Sequence, residues 1–166
     1  MEKTTKTLAL ALAIIFISLT ALHNAKPSLA LSNTSPCYTR ITYQFIHANI
    51  LHAIINSWCL LALVFKNNLS FTQLTTAFII AAAIPAPLIS HTPIVGASGI
   101  CFASIGIITL KVKRKLLIFT YTMAVIAAGS IFSKAAVTLH LYCYITGIIT
   151  AIFTTPVNII KGKANG

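Results

Sequence analysis

The side chains able to do chemistry in this chain are few, and their types narrow the choice. Glycines flank a serine in Val95-Gly96-Ala97-Ser98-Gly99. Glycine lets backbone pass close by, and a helix that starts there has free N–H donors beside the hydroxyl. That is ground for a nucleophile with an oxyanion site, although small residues are also ordinary packing in membrane helices. A second cluster, His47-Ala-Asn-Ile-Leu-His52-Ala-Ile-Ile-Asn56, puts His52 and Asn56 four apart and therefore on one helix face. Hydrogen bonding between helices is the plain alternative for such a pair. His140, with Gly147 seven residues on, is either a general base or a packing residue near a helix end.

What the chain lacks narrows the chemistry further. Glu2 is its one acidic residue, and it has no aspartate. Paired-carboxylate mechanisms are excluded, as are a Ser-His-Asp triad and an oxygen-rich calcium or magnesium site. Proton coupling through carboxylates has no group within an apolar stretch, which counts against a small-solute transporter. A zinc site from His47, His52, His91 and cysteines is a further alternative, but His-Glu-x-x-His and a carboxylate base are both missing. Ser90 and His91 read as exposed loop polars, and neither metal nor cofactor is expected. Of the four cysteines, Cys59, Cys101 and Cys143 fall in apolar stretches and only Cys37 faces an outer compartment, so no internal disulfide is expected.

The elements that must position these groups are set by composition. Hydrophobic residues make up 57% of the 166, and charged residues only 8%. Soluble domains run near 45–50% and about 25%. The expected fold is an all-α polytopic membrane bundle forming one domain over 1–166. Six apolar stretches supply its spans: 7–22, 44–65, 69–83, 98–110, 116–132 and 135–153, with outer loops at 23–43 and 84–97. The third and fourth are short and flank Pro85, Pro87 and Pro93. Irregular backbone at membrane depth needs protein or a water-filled cavity around it, so a short span opening on a loop points to a site. Counting about 1.5 Å per residue brings Ser98, His140, His52 and Asn56 to similar depth in one leaflet.

The net charge of +11 then reads as an orientation code. With the N-terminus cytoplasmic, inner segments hold nine cations: Lys3, Lys6, Lys66, Lys111, Lys113, Arg114, Lys115, Lys161 and Lys163. Outer segments hold three, Lys26, Arg40 and Lys134. This is the positive-inside pattern of an even number of spans, not the clustered basic face of a nucleic-acid binder. A cell membrane location follows, the inner membrane in a bacterium, with both termini cytoplasmic and Ser98 opening toward the outer face. A competing reading of the first 30 residues is a cleaved signal peptide, which would leave the later spans unchanged.

Taken together, Arg40…His47-x4-His52-x3-Asn56, Gly96-Ala97-Ser98-Gly99 with Gly106 eight after the serine, and His140…Gly147 resemble the rhomboid intramembrane serine proteases. The resemblance covers the second to sixth spans and is to the minimal six-helix type. It implies Ser98 as nucleophile and His140 as general base, with His52, Asn56 and backbone N–H groups on the oxyanion. His47 would join the polar network on the outer side, Gly96 and Gly99 would frame the serine, and Phe102 would pack on His140. Gly106 and Gly147 would serve packing. The implied partners are transmembrane protein substrates and the lipid bilayer, with no nucleic acid. A rhomboid-like protein that escorts clients without cleaving them is the alternative. Three features depart from the family pattern. Cys143 stands where glycine is usual, three after the histidine. Leu139 replaces a small residue, and the loop from Lys26 to Arg40 is short and lacks a tryptophan–arginine pair.

Overall fold

The computed structural model describes residues 2–22, 27–129 and 134–154. Seven α-helices occur among them: α1 (Glu2–Leu22), the one-turn α2 (Thr39–Thr42), α3 (Ile50–Asn67), α4 (Phe71–Ala82), α5 (Ser98–Thr109), α6 (Lys115–Gly129) and α7 (Lys134–Thr154). Short 3₁₀ turns at Pro27–Leu29 and Ala86–Leu88 interrupt the connections. The chain is an all-α membrane bundle. Glu2–Leu22, Ile50–Asn67 and Ala136–Thr154 are long and apolar enough to cross a bilayer, with mean hydropathies of 2.0, 1.4 and 1.7. Lys26, Lys161 and Lys163, used above for orientation, lie outside the described residues, as do 23–26 of the outer loop and 130–132 of the fifth apolar stretch.

Helix α5 holds the centre. It has 12 residues, so it is about 18 Å long against a hydrocarbon core of about 30 Å. At least one of its ends must therefore lie within the membrane's thickness. From Gly99 to Thr109 every residue except Ile105 is buried, between α4 and α7 with α3 alongside. Small residues permit this. A Cβ on Gly106 would overlap the carbonyl oxygen of Tyr144, and one on Gly147 would overlap that of Ala103. The backbones of α5 and α7 thus touch, which is how membrane helices gain packing energy without a hydrophobic driving force.

The second apolar stretch differs from expectation. Helix is expected over 44–65, but α3 begins at Ile50. Asn49 stops it on the N-terminal side, with extended backbone (φ −161°, ψ 171°) and a side-chain oxygen accepting from the His52 N–H at 2.8 Å. Apolar content alone gives no sign of this cap. His52 consequently sits in the first turn of α3 rather than two turns in. Residues 44–49 form an irregular segment whose Gln44 and His47 are buried.

Irregular backbone at this depth must find its partners inside the protein. It does so with neighbouring loops. Leu31 and Ile94 exchange two backbone hydrogen bonds, at 2.9 and 2.8 Å, joining the segment after α1 to the one before α5. The Gly96 N–H donates to the Tyr43 carbonyl at 2.8 Å. Arg40 donates to the carbonyl oxygens of Ala82, at 3.3 Å, and Ile84, capping the end of α4 where Pro85 forbids a further turn.

Candidate active site

Ser98 is the first residue of α5, and its Oγ lies 2.7 Å from His140 Nε2 on α7. A neutral imidazole with its proton on Nδ1 accepts the serine hydroxyl proton through Nε2. The ring of Phe102, one turn along α5, stacks on His140 with centroids 4.4 Å apart and planes at 29°. That contact and the glycine-mediated approach of α5 to α7 fix the histidine relative to the serine.

Gly96 is the hinge of the site. Its φ of +116° is open to glycine and strained for any side chain. A Cβ there would stand 2.7 Å from His52 Cε1 and 3.2 Å from Asn56 Nδ2. Both side chains therefore reach the backbone two residues before Ser98. Asn56 Nδ2 is buried and has no hydrogen-bond partner among the described residues. An unpaired buried donor costs about 1–3 kcal/mol. Such a group is either a defect or a donor waiting for an acceptor that arrives with another molecule. The first N–H groups of α5 have no intrahelical acceptor and lie at the same place.

His47 works from behind. Its Nε2 accepts from the Ala97 N–H at 3.2 Å, holding the residue before Ser98. Its ring meets His52 edge-on at 5.1 Å and Phe16 of α1 at 5.2 Å. Gly99 is needed for a different reason: a Cβ there would lie 3.2 Å from both Ala81 Cβ and Tyr43 Oη, and 3.5 Å from Cys143 Sγ. Cys143 is fully buried and fills the space that Gly99 leaves. The departure from the family pattern at Cys143 thus coexists with close packing, because the thiol faces a glycine. Leu139 is likewise fully buried on α7.

The expected group of Ser98, His140, His52, Asn56, His47, Gly96, Gly99 and Phe102 therefore comes together, and Gly106 and Gly147 meet one helical turn or more beneath it. His91 does not join them. Its Nε2 lies 3.1 Å from Asn33 Nδ2 on the rim, and the described residues contain no group of three potential metal ligands. Sequence reasoning missed Tyr43 and Phe16. Tyr43 is fully buried, its hydroxyl donates to the Ala81 carbonyl at 3.0 Å, and its own carbonyl holds Gly96. Only the aromatic type marked either residue in the sequence, and aromatic residues are common throughout an apolar chain.

His140 borders a cavity of about 500 Å³ that Asn49, His52, Ile55, Val95 and Ala136 also line. It lies between the start of α3 and the start of α7. No curated protein and no solved structure matches the chain. The family model described as the Rhomboid domain matches residues 35–159, which takes in everything from the segment before α2 to beyond the described end of α7. On that match, and with the site built as above, this chain belongs to the rhomboid family.

Proposed function

We propose that this chain is an intramembrane serine endopeptidase that hydrolyses peptide bonds in the transmembrane segments of membrane proteins. The observation that carries the reading is the 2.7 Å Ser98–His140 hydrogen bond beside the unpaired Asn56 amide. His140 takes the hydroxyl proton as Ser98 attacks the substrate carbonyl. Asn56 Nδ2, His52 and the first N–H groups of α5 receive the oxyanion, each donor contributing roughly 3 kcal/mol to lowering the barrier. His140 then protonates the leaving amine, and water releases the acyl-enzyme. A helical substrate must unwind locally before its carbonyl is exposed, so small or helix-breaking residues are expected near the scissile bond.

The placement proposed with it is a single domain of six spans, with both termini cytoplasmic and the dyad opening toward the outer face. The nine-to-three division of cations supports that orientation. A protein that only escorts clients has no use for an unpaired buried donor next to a serine–histidine pair. The two readings separate in a cleavage assay with a tagged transmembrane substrate. A peptidase cuts the substrate and loses that activity in Ser98→Ala and His140→Ala while still binding it. Cleavage that persists unchanged in Ser98→Ala overturns the proposal.

A further inference from the structure

A second cavity, of about 380 Å³, lies between α3, α5 and α6, toward the end of α5 away from Ser98. Ile105 and Ile108 line it, about 10 and 15 Å along the helix axis from the serine. Leu63 of α3 and Leu117 and Ile118 of α6 form facing walls, and Asn67, Tyr121 and Thr122 supply its polar atoms. Helix α6 is held least firmly of its neighbours, with only Thr122 and Ile126 buried among its 15 residues. Thr122 is one of the lining residues, so this gap separates α6 from α3.

Cations neighbour the lining residues in sequence. Lys66 adjoins Asn67, the connection from α5 to α6 holds Lys111, Lys113 and Arg114, and Lys115 opens α6. The Lys111 N–H donates to the Ile108 carbonyl at 2.8 Å, folding that connection back over the end of α5. The Ile118 N–H donates to the Arg114 carbonyl at 3.1 Å, so Arg114 and Lys115 stay within a turn of the lining residues. Lys113 and Arg114 are exposed. The single acidic side chain of the sequence, Glu2, is bound to Lys6 at 2.6 Å.

We propose that this cavity is a binding site for an anionic phospholipid of that leaflet. One acyl chain lies in the apolar gap between α3 and α6, and the phosphate sits on Lys66, Lys113, Arg114 and Lys115. Charge complementarity selects the occupant: a basic pocket between helices at the membrane surface suits an anionic headgroup, whereas a choline headgroup brings its own cation to these side chains. The lipid supplies the packing that α6 lacks, so binding stabilises the fold by an amount that grows with the logarithm of free lipid once it exceeds the dissociation constant.

The test uses the purified full chain in neutral detergent, titrated with phosphatidylglycerol or with phosphatidylcholine of the same acyl chains. Retention is followed by native mass spectrometry and stability by thermal unfolding. Phosphatidylglycerol is expected to be retained and to raise the unfolding temperature, and phosphatidylcholine to do neither. The triple variant Lys113→Gln, Arg114→Gln, Lys115→Gln should lose about fivefold in affinity per cation removed, about 100-fold in all. Ile105→Phe, which fills the gap from α5, should lose tenfold or more with every charge intact. Leu117→Trp gives the same test from the exposed wall of α6 if the first variant folds poorly. Equal retention of the two lipids overturns the proposal. So does an affinity that follows the charges but ignores both gap-filling variants, since that is diffuse attraction to a basic loop. Neither measurement depends on peptidase activity, so the outcome is independent of the function proposed above.

Discussion

Helices α5 and α6 are similar by composition and opposite in their surroundings. Both are short and apolar, with 12 and 15 residues. Yet α5 is buried along almost its whole length, and α6 turns Leu116, Leu117, Phe119, Tyr121 and Val125 outward. The difference follows from side-chain size. Gly99, Ala103 and Gly106 let α5 sink between α4 and α7, while the large residues of α6 hold it at the perimeter, where lipid satisfies them equally well. The proposed nucleophile needs the first environment. Ser98 must meet His140 within a hydrogen bond's length, and only a helix whose neighbours touch its backbone can guarantee that.

The sharpest way to break the contrast is to give α5 a side chain where it has none. Gly106→Leu has no room against the Tyr144 carbonyl, so folded protein should be lost, as measured by size-exclusion recovery and thermal unfolding in detergent. Asn56→Ala separates chemistry from packing. It should lower kcat by about 100-fold, near the 3 kcal/mol of one oxyanion donor, with substrate affinity unchanged. Its thermal stability should not fall, because the amide it removes is unpaired. Cys143→Gly restores the residue usual in the family but empties space against Gly99. It should destabilise by about 2 kcal/mol through the cavity and the added helix flexibility, with cleavage kept within a few-fold. On the other side of the comparison, Leu116→Ala on the exposed face of α6 should change stability by less than about 0.5 kcal/mol in an unfolding titration. A large loss there would mean that α6 is packed as tightly as α5.

Much of this division was legible in the sequence, though not all of it. Apolar runs marked the helices well where nothing competes with the helix: 98–110 is expected and Ser98–Thr109 is observed. The polar residues of the site stood out because such groups are costly in an apolar chain. The boundary at Asn49 was hidden, since a cap is a matter of one side chain's hydrogen bond within an otherwise helical composition. The supports were hidden for another reason. Phe16, Tyr43 and the Leu31–Ile94 pairing act across 31 to 63 residues of sequence, and nothing local distinguishes them. The meaning of Cys143 depended on such a contact as well, because its partner Gly99 lies 44 positions earlier.

The central claim is that the bond between α7 and the start of α5 makes Ser98 a nucleophile. Labelling of the purified full chain with a fluorophosphonate, followed by mapping of the modified peptide, tests it most directly. The expected result is modification at Ser98 that disappears in Ser98→Ala and falls to background in His140→Ala, with both variants folded. Labelling that is unchanged in folded Ser98→Ala, or undiminished in folded His140→Ala, would contradict it.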